Sequence, residues 1–232
     1  MQRSTVFQGE RATTVQTDFI RRVYNWMALG LAVTAIVALY AVNSGLIFRL
    51  LGNPMIMLLL IVGEFGLVIA LSAAIGRFQS STALFMFFAY SFLNGLTLST
   101  IFLIYTKASI ASTFFVTAGT FAAMSLYGYT TKRDLTSMGS FLMMGLIGII
   151  IASFVNFFFS SPALYWLITY AGIAVFVGLT AYDAQKIKEM AYAGFSGSED
   201  ERKGAVIGAL RLYLDFINLF LLLLRIFGRR SD

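Results

Sequence analysis

Residues 211–227 read RLYLDFINLFLLLLRIF, an apolar run with one carboxylate, Asp215, in its interior. A bare Asp at the centre of a membrane helix costs roughly 2.5–3.5 kcal/mol on insertion scales, so an acid placed there points to function and calls for a partner. A second acid, Asp183, closes the preceding apolar run in LTAYDAQKIKEM, and the polar segment 194–203 lies between the two. If that segment turns between antiparallel helices around Ser198, the two acids are about equally far from the turn. At ~1.5 Å rise per residue they then fall within about one helical turn of the same depth. The stretch therefore predicts a buried aspartate pair.

Working outward, the composition is that of a membrane protein. Of 232 residues, 59% are hydrophobic and 12% charged, against roughly 25% charged in a globular protein. The chain has no Cys and no His, which excludes disulfides, thiolate metal sites, an imidazole base and an imidazole pH switch. Titration near neutrality must come from carboxylates. The net charge of +6 is not a nucleic-acid signal, because the Lys and Arg residues sit in short loops between apolar runs, where they set topology.

Seven runs are long enough to cross about 30 Å of hydrocarbon: residues 23–42, 55–75, 83–105, 110–129, 140–158, 163–182 and 211–227. The predicted fold is an all-α bundle of seven membrane helices. Residues 1–22 form a cytosolic N-terminal tail, 23–228 one polytopic domain, and 229–232 a C-terminal tail. With the N-terminus in the cytosol, five of the 17 Lys and Arg residues (Arg49, Lys107, Arg225, Arg229 and Arg230) fall outside and the other twelve inside. The clustering of three outside charges at the C-terminus leaves open a re-entrant seventh segment. Residues 43–54 are expected to be a loop, and the fourth run, rich in Gly, Ala, Ser and Thr, is expected to face protein.

Glu64 in the second run joins the two aspartates as a candidate of the pH-sensing or ion pathway. Two carboxylates in a low dielectric tend to share a proton. They also offer hard oxygens for transient Ca²⁺, although a tight site needs about 6–8 ligands. Arg211, one turn before Asp215, is an alternative partner that would neutralise the acid structurally. Asn94, Asn156 and Asn218 are assigned to the polar interior of the bundle; Asn94 belongs to a polar patch with Gly95, Thr97 and Ser99. No phosphate loop, zinc motif or nucleophile elbow occurs, so the protein is expected not to be an enzyme and to hold no cofactor.

The string LYLDFINLFLLLLRIFG in the last run, AYDAQKI closing the sixth, NGLTLS in the third and Glu64 in the second together resemble the Bax inhibitor-1 family along essentially the whole chain. The chain looks like a bacterial member of that family, and the resemblance implies a bacterial inner membrane as its expected location. The resemblance implies a central last helix and a pH-sensitive passive calcium leak, with Asp183 and Asp215 as the sensing dyad. It also implies a basic latch on the second helix, for which Arg77 is the nearest residue. A second implied role is regulation of a membrane-anchored protease of the FtsH type. The expected partners are thus the lipid bilayer, calcium and protons, and in the second reading that protease.

Overall fold

The computed structural model describes the backbone of residues 2–231 and the side chains of residues 16–231. The side chains of residues 1–15, most of the expected tail, lie outside the described residues. Among the described residues the chain forms nine α-helices: α1 (Gln2–Asn43), α2 (Leu46–Leu51), α3 (Pro54–Ala74), α4 (Ser80–Leu98), α5 (Ile101–Ile104), α6 (Lys107–Thr130), α7 (Thr136–Phe159), α8 (Pro162–Ala193) and α9 (Ser198–Phe227). Seven spans are long and apolar enough to cross a membrane, with α4 and α5 together making one of them.

Local chemistry sets the boundaries. Asn53 accepts from the Met55 amide at 3.1 Å, and Pro54 supplies the first residue of α3, where a missing amide hydrogen costs nothing. Thr106 caps α6 in the same manner through the Ser109 amide at 3.3 Å. Gly194, at φ 77°, stops α8, because the left-handed conformation after a helix end carries no penalty without a Cβ.

Several boundaries differ from expectation. The predicted loop at 43–54 contains α2. The third span is not one helix: it breaks at Ser99 and Thr100, where hydroxyls bond to nearby carbonyls. Ser99 Oγ donates to Leu96 O and Thr100 Oγ1 to Thr97 O, a local bonding pattern that competes with helix propagation. The first helix runs from Gln2 without a break at residue 22.

Two compact units make up the chain, Met1–Ile104 with Lys188–Tyr213 and Tyr105–Ile187 with Leu214–Asp232. In the first, α1 packs on α4 and α4 on α3. The buried face of α1 carries Phe19, Val23, Met27, Thr34, Ala38 and Ala41, the spacing of one helical stripe. In the second, Leu142, Phe176, Leu179, Leu219, Leu222 and Leu223 from α7, α8 and α9 form one cluster. Gly128 of α6 lies so close to α8 that a Cβ there would collide with the Ala181 carbonyl.

Burial separates the helices by role. In its most apolar stretch α9 is 72% buried, against at most 39% for any other span; it is the central helix. The corresponding stretches of α3 and α7 are 6% buried, and they present large side chains such as Phe65, Ile69, Phe141 and Phe154 outward. Faces this apolar exceed what a water-soluble surface carries, and lipid is their solvent. The fourth span, expected to face protein, does so on one side only: Thr113, Thr117, Phe121 and Ser125 are buried, while Phe115 and Leu126 point outward.

Both ends of α9 are tied down. Near its start, Glu199 accepts from the Ser80 hydroxyl at 2.8 Å and from the Ser80 amide at the head of α4. Glu201 pairs with Arg22 at 3.3 Å, and Phe195 packs on Phe19. Past its end, Arg229 O accepts from the Thr106 amide at 2.9 Å, and Arg230 forms an antiparallel bridge with Tyr105. Thirty unbroken residues extend about 45 Å. The start of the helix is thus held to the head of α4 within the first unit, and the residues after its end to Tyr105 and Thr106 within the second.

Candidate functional site

The first unit holds a chain of polar side chains at membrane depth. Glu64 on α3 accepts from Thr97 Oγ1 at 2.8 Å and from Asn94 Nδ2 at 3.4 Å. The same Asn94 accepts, through Oδ1, from the Tyr213 hydroxyl at 3.1 Å. Tyr213 also shares a 2.6 Å hydrogen bond with Thr34 Oγ1, and Thr34 Oγ1 lies 2.9 Å from the Ser91 carbonyl, an alternative acceptor for its single proton. Four helices, α3, α4, α9 and α1, are thereby joined. Tyr213 is fully buried, with its ring edge-on to Phe87 and Tyr90.

The donor pattern fits a carboxylate at Glu64, which only accepts when ionised. Thr97 Oγ1 also lies 3.1 Å from Asn94 O and 3.4 Å from Leu93 O. Its proton can therefore turn to a backbone carbonyl and leave the hydroxyl oxygen to accept from a protonated Glu64. The network accommodates either protonation state with small rotations of one hydroxyl.

The two aspartates fall in the second unit. Asp215 is 4% exposed, between Tyr213, which ends the polar chain in the first unit, and Phe216, whose ring packs on Phe114 and Phe121. Asp183 is half-buried on α8. The turn lies at 194–197 rather than around Ser198, so Asp183 is ten residues before Ala193 at the end of α8, while Asp215 is seventeen after Ser198 at the start of α9. The equal spacing expected from the sequence is not met, because Gly194 ends α8 early. The difference of seven residues is about 10 Å of helix, and any pairing depends on the offset of α8 against α9, not on a symmetric turn.

The remaining candidates are scattered. Arg211 is exposed on α9, and Arg77 is exposed in the 3-10 turn that follows α3, thirteen residues beyond Glu64. Asn156 is not an interior group of the bundle: it lies half-buried near the end of α7 and accepts from the Ser161 amide at 2.9 Å, holding the turn into α8. Asn218 donates back to the Leu214 carbonyl of its own helix at 2.8 Å. Among the described residues no group of three or more Asp, Glu, His or Cys side chains is gathered as for a bound metal ion.

Tyr213 and Thr34 were not legible as site residues, since a Tyr among leucines and a lone Thr in an apolar run both read as packing. The one available signal was position: Tyr213 lies two residues before Asp215, in the string that carries the family resemblance. Gln185, in AYDAQKI, was also missed. Its Oε1 accepts from the Leu135 amide and its Nε2 donates to the Arg133 carbonyl, both at 2.8 Å. It clamps the link between α6 and α7, and Lys186 adds a 2.9 Å bond to Thr136 Oγ1.

A central, buried helix carrying an acid, six further spans and a polar chain at membrane depth define an all-α integral membrane protein. Residues 16–232 match the family described as "Inhibitor of apoptosis-promoting Bax1", and the chain belongs to the Bax inhibitor-1 family. It is 55% identical over 214 residues to inner membrane protein YbhL of Escherichia coli strain K12, covering 91% of this chain and 92% of that one. It is 47% identical to an uncharacterized protein of Borreliella burgdorferi, covering 97% of each. To an uncharacterized membrane protein of Streptococcus pyogenes serotype M1 it is 38% identical, covering 92% of this chain and 93% of the other.

Proposed function

We propose that the protein is a passive, pH-sensitive calcium leak of a bacterial inner membrane, gated by Asp183 and Asp215, with its N-terminus in the cytosol. The observation that carries the reading is the burial of Asp215 on the central helix, in the same compact unit as Asp183. A buried acid within a membrane helix is expensive and is retained where protons or ions pass. Two carboxylates supply at most four oxygens, short of the ~6–8 that Ca²⁺ takes in a tight site. They fit an ion in transit better than one in store. Glu64, with its adaptable hydrogen bonds, is a further acid for the pathway. The inner-membrane assignment leans on the printed name of the E. coli relative, and the orientation on the Lys and Arg bias.

The test is calcium flux from purified protein in liposomes across a pH series. The leak reading predicts flux that rises as the acids deprotonate. Absence of flux at every pH overturns it and leaves a regulatory, protease-binding role as the reading to pursue.

A further inference from the structure

Where α1 enters its apolar stretch and α4 and α9 begin, the first unit is indented by neighbouring clefts. One, of about 340 Å³, is lined by the apolar side chains of Trp26, Leu84 and Val206 together with Arg22, Arg202, Ser80 and Ser81. A second, of about 550 Å³, shares Ser80, Ser81 and Arg202 and adds Arg77, Lys203 and Glu199. We propose that these clefts bind the headgroup of an anionic phospholipid, with the phosphate between Arg22 and Arg202 and an acyl chain along Trp26, Leu84 and Val206.

Charge is the first argument. The two linings together carry four cations, Arg22, Arg77, Arg202 and Lys203, against one carboxylate, Glu199. That carboxylate is already engaged, since its two oxygens take the Ser80 hydroxyl and amide. Glu201 offsets part of the charge of Arg22 at 3.3 Å, and the surplus is positive. Basic pockets between membrane helices at the headgroup level are a recurrent site for anionic lipids.

Depth is the second argument. Arg22 and Ser80 stand within three residues of the apolar runs that start at 23 and 83, and Arg202 stands nine residues before the run that starts at 211, about 14 Å of helix. Trp26, edge-on to Phe88 with centroids 5.8 Å apart, is the residue type that concentrates at the boundary between headgroups and hydrocarbon. A soluble phosphate has no use for the three apolar walls. A zwitterionic headgroup carries its own ammonium and gains less from the arginines. The inference depends on membrane embedding alone and stands apart from the leak reading.

The experiment is native mass spectrometry of the full-length protein released from mixed micelles containing equal phosphatidylglycerol and phosphatidylcholine. Retention of phosphatidylglycerol should exceed that of phosphatidylcholine by about five-fold for each arginine engaged. Arg202→Gln should lose one such factor while melting unchanged in phosphatidylcholine micelles, and Arg202→Lys should keep most of the preference. Arg22→Gln with Arg202→Gln should bring the two lipids to parity. Equal retention by the native protein, or a preference untouched by Arg202→Gln, overturns the proposal. So does displacement of the lipid by glycerol 3-phosphate alone, which would mark a site for a soluble anion.

Discussion

Up to Tyr213, α9 buries Val206, Leu210 and Leu212 and adds hydrogen bonds from the Tyr213 hydroxyl; from Phe216 onward it is packed through rings and leucines. Before the change, Tyr213 links by hydrogen bonds to Thr34 and Asn94, and through Asn94 to Glu64. After it, Phe216 and Phe220 meet the ring of Phe114, and Leu219, Leu222 and Leu223 close on Leu142 and Phe176. In the sequence, Asp215 follows Tyr213 by two residues and immediately precedes Phe216. In lipid, apolar burial does not drive helices together, so close packing and interhelical hydrogen bonds must do so. One unit emphasises the second device and the other the first.

If the second unit rests on close packing, it should break sterically. Gly128→Val places a side chain against the Ala181 carbonyl. Overpacking of this kind costs about 3 kcal/mol at the upper end of its usual range. Thermal melting in detergent should show a large loss of stability; an unchanged melt would mean that α6 and α8 are not in close contact.

The first unit should respond to the loss of single hydroxyls, and by less. Tyr213→Phe keeps the ring and removes the group shared by Thr34 and Asn94. Interhelical hydrogen bonds in membrane proteins average about 0.6 kcal/mol and reach about 1.7, so a loss of about 1 kcal/mol is expected in the same assay. A more stable variant would show that the polar chain is a cost in that unit and not a tie.

The sequence went far where only composition and run length were needed. The seven spans and the membrane class follow from apolar runs, which any membrane-crossing helix must have whatever its neighbours. What stayed hidden depended on neighbours or on local competition. The third span breaks where Ser99 and Thr100 bond to carbonyls three residues back. Tyr213 acts through groups 119 and 179 residues away in the chain. The position of the turn before α9 was set by Gly194 and not by the polar centre of the segment, so the two aspartates are less symmetric than their spacing implied.

The smallest expected effect lies outside the spans, in the link between α6 and α7 of the second unit. The hydroxyl and amide of Thr136 hold the Asp134 carboxyl below its ordinary value, with the Thr136 amide donating at 2.8 Å. A depressed folded value contributes stability that is fully present above the ordinary carboxylate value of about 3.9 and is lost as pH falls through the folded value. Because the group is fully exposed, the slope should be slight. Asp134→Ala should flatten the melting-temperature profile in acid; a profile identical to the native one would remove Asp134 from the account.

The central claim is that Asp215 titrates as part of a pathway together with Asp183, and calcium flux in liposomes tests it most directly when the native protein is set beside Asp183→Asn, Asp215→Asn and the double variant across a pH series. Each single variant is expected to flatten the pH profile and lower flux at high pH. The double variant should be little worse than either, since coupled groups do not add. Single effects that add independently, or a pH profile that survives Asp215→Asn, would contradict the pairing.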